Sequence, residues 1–199
     1  MGRQSIRSRY QRLQRFSDGP FPALTIRYGR RILADYPEYG PAWMLVGIAL
    51  VELARYEEAE QAFAKAMEHC PREKRQLPLA HMGHLFKEAG DYDQAAEWYR
   101  KAIEADPGDA TYLIYLGGVL AKQGRFHEAE EAHRAAIECP EGCIDEAYLN
   151  LGFVLRARER FREAADCFRE AIRLDPEYRA ARCALRDVER CIKLEGDRT

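Results

Sequence analysis

The sequence predicts an all-α fold, an array of antiparallel helical hairpins stacked one on the next. Two observations carry this. One phrase recurs, with its opening glycines at Gly47, Gly83, Gly117 and Gly152, so that successive copies are 36, 34 and 35 residues apart. Within each copy, apolar residues three and four apart give two helix-length patterns separated by a short turn. A period in this range means supersecondary units that bury their apolar faces only by stacking.

The elements follow in order. Residues 1–17 are arginine-rich, and Ile6, Tyr10, Leu13 and Phe16 form one apolar stripe of a helix. Ser17-Asp18-Gly19-Pro20 ends it. Leu24, Tyr28 and Ile32 mark a second helix, stopped at Asp35-Tyr36-Pro37. This hairpin, residues 3–39, has repeat length but departs from the repeat pattern, as expected of an end unit with a single neighbour.

Repeat 1, residues 40–73, opens with Trp43-x-x-Val46-Gly47-x-x-Leu50, turns at Arg55-Tyr56, continues with Ala59, Phe63 and Ala66, and closes at Pro71. Repeat 2, residues 76–109, has Leu79, Met82-Gly83 and Phe86, a turn at Gly90-Asp91-Tyr92, then Ala95, Tyr99 and Ala102, closing at Asp106-Pro107. Repeat 3, residues 110–143, has Leu113, Leu116-Gly117 and Leu120, a turn at Gly124-Arg125-Phe126, then Ala129 and Ala136, closing at Cys139-Pro140-Glu141. Repeat 4, residues 145–178, has Tyr148, Leu151-Gly152 and Leu155, a turn at Arg160-Phe161, then Ala164, Phe168 and Ala171, closing at Asp175-Pro176. The length differences fall in loops, near Lys74-Arg75 and near Cys143-Ile144, which leaves the helix register intact. A last helix, residues 179–194, has an apolar stripe of Ala181, Leu185, Val188 and Ile192 and a polar remainder, as a cap requires; Glu195 to Thr199 is expected to fray.

Each slot has a physical reason. The small residues at the four glycines and at Ala59, Ala95, Ala129 and Ala164 let the two helices of a hairpin approach closely. Trp43, Leu79, Leu113 and Tyr148 are expected to fill the space between them, and Phe63, Tyr99 and Phe168 the next layer toward the following unit. Helices of about 14 residues are marginal alone in water, so the stack supplies the stability.

At this point the sequence resembles the tetratricopeptide repeat family. Residues 40–178 match nearly every slot of W-x2-L-G-x2-Y…A-x3-F…P, and Lys101-Ala-Ile-Glu-Ala-Asp-Pro107 and Arg169-Glu-Ala-Ile-Arg-Leu-Asp-Pro176 read as the family writes them. The departures are His133, where an aromatic ring is usual, and Glu141, where proline is usual. The resemblance implies a single solenoid domain over residues 1–199, a right-handed superhelix of antiparallel helix pairs with a concave groove and a C-terminal capping helix.

The resemblance also implies that the first helix of each pair lines the groove. The groove-facing residues are then Met44, Leu45, Ile48 and Val51; Ala80, His81, His84, Lys87 and Glu88; Thr111, Ile114, Tyr115, Gly118 and Lys122; and Glu146, Leu149, Asn150, Phe153 and Arg156. The partner-binding set taken from these is Met44, Ile48, Val51, His81, His84, Tyr115, Lys122, Asn150, Phe153 and Arg156. Asn150 suits a bond to a peptide backbone, and Arg156 or Lys122 suits a carboxylate. Met44, Ile48 and Val51 are either apolar anchors for a partner or a seat for the chain's own N-terminal helix. One subclass of the family grips acidic chaperone tails with a Lys/Asn/Asn/Lys/Arg clamp. Those slots hold Met44 and Ile48 here, or Ala80, His84 and Tyr115 one unit on, so that function is set aside.

Composition and the remaining motifs narrow the class. The chain is 47% hydrophobic and 32% charged with net charge −2, so no overall basic bias points to nucleic acid. Residues 1–40 hold eight arginines against three acidic residues, and the expected role of that helix is a solvated face with a docked stripe, not nucleic-acid binding. No signal peptide or membrane span is read, and the six cysteines form no spaced framework, which points to the cytoplasm and reduced thiols. His81 and His84 with Glu88, and Cys139 and Cys143 near His133, are weak metal candidates without a full ligand set, so no metal and no cofactor is expected. Gly117-Gly118 belongs to helix packing and not to a phosphate loop, no nucleophile elbow occurs, and Glu57-Glu58 and Glu130-Glu131 read as solvated helix faces, so no catalysis is expected. The expected function is protein–protein interaction, an adaptor or scaffold holding a peptide or helix in its groove. The alternative is a chaperone-like protein shielding an apolar client segment at Met44, Ile48 and Val51. The sequence names neither the partner nor an oligomeric state.

Overall fold

The structure is a computed structural model that describes residues 5–71 and 74–196. Among the described residues there are eleven α-helices: α1 (Ile6–Ser17), α2 (Pro22–Asp35), α3 (Gly40–Glu52), α4 (Tyr56–Glu68), α5 (Gln76–Ala89), α6 (Tyr92–Ala105), α7 (Ala110–Lys122), α8 (Phe126–Ile137), α9 (Ile144–Ala157), α10 (Phe161–Leu174) and α11 (Arg179–Gly196). The expected all-α solenoid is therefore the observed fold. The chain divides into two compact units, Met1–Ala105 with α1 to α6 and Asp106–Thr199 with α7 to α11. Inside each unit every helix packs on the next in sequence, and first helices also meet one another, α3 with α5 and α7 with α9.

The four repeats turn in the same way. The N–H of Arg55, Asp91, Arg125 and Arg160 donates back to the C=O of Leu50, Phe86, Leu120 and Leu155, over 2.9 to 3.0 Å. This closure needs the preceding residue in the left-handed region. Gly90 (φ 84°) and Gly124 (φ 75°) take it without a Cβ penalty, whereas Ala54 (φ 55°) and Glu159 (φ 59°) take it with one. The second helix then starts with a side-chain pair three residues apart: Arg55 on Glu58, Asp91 with Gln94, Arg125 on Glu128 and Arg160 on Glu163.

The hairpin interior corrects one expectation. The glycines do not bring two bare helices together; each seats a ring from its partner helix. A Cβ built on Gly47 would lie 2.5 Å from Phe63, one on Gly83 the same distance from Tyr99, and one on Gly117 the same distance from His133. Gly152 faces Phe168 in the same way. Phe63, Tyr99, His133 and Phe168 are all at most 1% exposed, so the ring fills the space between the helices of its own hairpin. Trp43, Leu79, Leu113 and Tyr148, expected there, are only half-buried, and Trp43 donates its indole N–H to the C=O of Pro37 over 2.7 Å.

The ends follow the same logic. In α1, Leu13 is fully buried and Tyr10 packs edge-on against Tyr39, with the arginines outward apart from Arg9, which pairs with Asp35 at 2.6 Å. The buried stripe of α2 is Ile26, Gly29, Ile32 and Leu33, while Leu24, expected to mark it, is 42% exposed. Gly29 is the reason for the shift, because it seats Val46 and Leu13. At the other end, Ala181, Ala184 and Val188 of α11 are buried on α10, with Leu185 and Ile192 half-buried beside them. That helix runs on through Glu195, which was expected to fray; residues 197–199 lie outside the described residues, as do Arg3, Arg72 and Glu73. The loop at Pro140-Glu141 settles on the start of α7, where Ala110 N–H donates to Glu141 C=O over 2.9 Å.

His133 sits in a slot for an aromatic ring. Its Nδ1 is buried without a hydrogen-bond partner, and burial pushes the imidazole down to about 4. It is a neutral core ring.

Two outcomes follow for stability. Ala54→Gly and Glu159→Gly relieve a left-handed Cβ and are each expected to stabilise the protein by about 0.5–1 kcal/mol in urea unfolding; destabilisation would contradict the turn assignment. The unfolded His133 takes a proton near its ordinary value, while the folded one resists until about pH 4. Stability is therefore expected to fall as pH drops from about 6.5 toward 4, by on the order of 2–3 kcal/mol from this residue. His81 and His84 are lowered by burial in the same range, so His133→Phe should make that part of the profile shallower by this residue's share, measured as the urea midpoint against pH.

Candidate functional site

The ten candidate residues fall five on each unit, and each set belongs to the first-helix faces of its own unit. In the first unit, Met44, Ile48 and Val51 lie one turn apart along α3. All three are half-buried and pack against the cluster that contains Leu13, Val46, Leu50 and Phe63. Met44 also lines a cavity of about 370 Å³ with Tyr10, Pro41, His69 and Leu77. Leu13 of the N-terminal helix belongs to the same core cluster as the residues this stripe packs on.

His81 and His84 project from α5, one turn apart, into a ladder of rings. Phe63 stacks on His81 with centroids 5.6 Å apart, His81 lies 5.8 Å from His84, and His84 meets Tyr99 edge-on at 5.5 Å. The Tyr99 hydroxyl and His84 Nδ1 are 2.9 Å apart. Burial lowers both histidines to about 4, with His81 adding to the effect at His84, so both are neutral at ordinary pH. Among the described residues no group of three or more His, Cys, Asp or Glu is placed to hold a metal. His84 meets Tyr99, and His133 lies in the core.

In the second unit, Tyr115 and Lys122 lie two turns apart on α7, and Asn150, Phe153 and Arg156 occupy successive turns of α9. Tyr115 is half-buried and its phenol is raised, first by burial and then by Glu146, Cys143 and Asp109. Lys122 is exposed in the last turn of α7, where a cation suits the helix dipole. Phe153 packs edge-on against Phe168 at 5.4 Å, and the Arg156 guanidinium lies 5.1 Å from the Phe153 ring centroid. Arg156, expected to suit a partner's carboxylate, already meets Asp187 of α11 at 2.9 Å. Asn150 is half-buried, and among the described residues its side-chain amide has no hydrogen bond. Three other residues expected to face the groove, Ala80, Ile114 and Leu149, are buried.

One cluster escaped the sequence reading. Glu130, taken as part of a solvated face, is only 8% exposed. It accepts from Arg134 at 2.9 Å, from Arg160 at 2.7 Å, and from Arg158. Burial pushes its carboxyl up, but the hydrogen bonds from Arg134 and Arg160 outweigh this and hold it below the usual range. The signal was present in the repeat column, since Glu130 stands where the neighbouring repeats carry the buried Ala96 and Ala165. The network ties α8 to the turn between α9 and α10, a structural role. None of the described helices is long and apolar enough to cross a membrane.

Comparison with known proteins matches this geometry. Profiles described as tetratricopeptide repeat match residues 27–73 and 82–142, and residues 145–178. The chain is 30% identical over 122 residues to human tetratricopeptide repeat protein 7A, covering 58% of this chain and 14% of that protein. It is 27% identical over 122 residues to the Hsp70-Hsp90 organising protein of Plasmodium falciparum, covering 59% of this chain and 46% of that one. The chain thus spans less than half the length of either relative. Among solved structures, YrrB, a TPR protein with an unusual peptide-binding site, superposes with a TM-score of 0.63 at 19% identity, over 88% of this chain and 89% of that one. That likeness is one of fold. The repeated ring-on-glycine hairpin and the profile matches from residue 27 to residue 178 together make this chain a member of the tetratricopeptide repeat family.

Proposed function

We propose that the chain is a protein–protein interaction module, an adaptor or scaffold without catalysis of its own, that holds a peptide or partner helix against the first-helix faces of its repeats. Tetratricopeptide repeats as a family serve such interactions, and YrrB has an unusual peptide-binding site. The observation that carries the reading is Asn150. Its amide offers two donors and an acceptor, is half-buried on α9, and has no hydrogen bond among the described residues. Phe153 lies one turn further along the same face, so backbone recognition and an apolar contact are adjacent.

In the first unit, His81 and His84 would take part as neutral aromatic rings, because burial keeps both unprotonated. Met44, Ile48 and Val51 have less surface to give, since each already packs on the core cluster. That weighs against the chaperone-like alternative at this end.

The test is affinity capture from native lysate with the intact chain, Asn150→Ala and Phe153→Ala, at equal helicity by circular dichroism. A captured protein is expected to fall at least tenfold with each variant. Capture unchanged by both would end the reading for the second unit.

A further inference from the structure

The second unit holds a cavity away from the first-helix faces, between α10 and α11. It measures about 550 Å³ and is lined by Ile172, Arg179, Arg182, Cys183, Leu185 and Arg186. Positions 179, 182, 183 and 186 share one face of α11. Ile172 and Leu185 are half-buried apolar side chains, and the three arginines are exposed around them.

The charge here is unbalanced. The first turn of α11 contains no acidic residue, although a helix start carries partial positive charge and favours anions. Arginines there add to a potential that carboxylates would normally offset. Most other arginines of the unit are paired, among them Arg134 and Arg160 on Glu130, Arg169 on Asp166 and Arg173 on Glu170, while Arg162 and Arg190 have no ion pair among the described residues but do not line this cavity. Around the cavity, Arg179 has no ion pair among the described residues, and Arg186 donates only to the Cys183 sulfur, at 3.3 Å. Arg182 reaches Glu177 at a long 3.4 Å, and that carboxylate is 91% exposed. A loosely held carboxylate of the chain itself thus occupies one edge of the arginine set.

We infer that this cavity binds a short acidic peptide segment of a partner protein, with carboxylates on Arg179, Arg182 and Arg186 and an apolar side chain on Ile172 and Leu185. The charge complementarity and the carboxylate already beside Arg182 select carboxylate chemistry. The apolar floor of Ile172 and Leu185 selects a peptide over a nucleic-acid backbone. The site is separate from the first-helix faces and stands or falls independently of the function proposed for them.

The experiment is fluorescence anisotropy with the full chain and three labelled probes: the peptide EDLDELDE, its neutral counterpart QNLNQLNQ, and a single-stranded thymidine 12-mer. The acidic peptide is expected to bind saturably and more weakly as salt rises, and the neutral one not to bind. The double variant Arg179→Glu/Arg186→Glu should lose at least tenfold in affinity. Its melting temperature should hold or rise, because it places an acid in the first turn of α11. A charge-matched control, Arg100→Glu/Arg162→Glu, should bind as the parent does. Absence of saturable binding, or equal loss in the control, overturns the site. Equal or tighter binding of the oligonucleotide, lost in the Arg179/Arg186 variant, overturns the peptide assignment.

Discussion

A ring seated on a glycine is the contact on which the rest of the structure depends. It occurs at Gly47, Gly83, Gly117 and Gly152, one in each of the four repeats. With a methyl group at any of these positions, the buried ring of the opposite helix would have to move. Removing the Cβ lets the ring lie on the helix backbone, so each hairpin closes around an aromatic plug. Once the plug is in place, Ala59, Ala95, Ala129 and Ala164 can be fully buried on the other helix. The left-handed turn that joins the two helices brings ring and glycine to the same level each time.

The plug also connects the core to the candidate faces. Tyr99 reaches past its glycine to His84, and Phe168 reaches Phe153. A residue on the face is therefore positioned by the ring beneath it. The third repeat differs on both counts. The shorter His133 replaces the usual ring, and Gly118 stands where the neighbouring repeats carry His84 and Phe153. A Cβ on Gly118 would meet nothing within 4 Å, so the face is open there, beside Tyr115 and Lys122 on the same helix.

The fold was legible because its determinants are local and repeated. The period, the glycines and the turn residues each occupy a fixed slot, and four copies let chance matches be discounted. What the slots do was less legible. A one-letter pattern shows that Gly47 and Phe63 recur together, but not that they touch. Glu130 looked solvated because its neighbours Glu128 and Glu131 are; Arg134 on its own helix and the arginines brought in from beyond α9 together make its burial tolerable. The same holds for Arg156, whose partner Asp187 is 31 positions away in the sequence. Burial along the first helices was not readable residue by residue. Ala80, Ile114 and Leu149 lie one position from face residues and turn inward, since neighbouring helical residues point about 100° apart.

The measurement that tests the ring-on-glycine account most directly is a double-mutant cycle at Gly47 and Phe63, followed by urea unfolding. Gly47→Ala alone is expected to cost about 1–3 kcal/mol by overpacking. In a Phe63→Leu background the same change should cost at least about 1 kcal/mol less, because the group it collides with has been shortened. Additive costs, with Gly47→Ala equally damaging in both backgrounds, would show that the glycine serves the helix and not the ring, and would contradict the account.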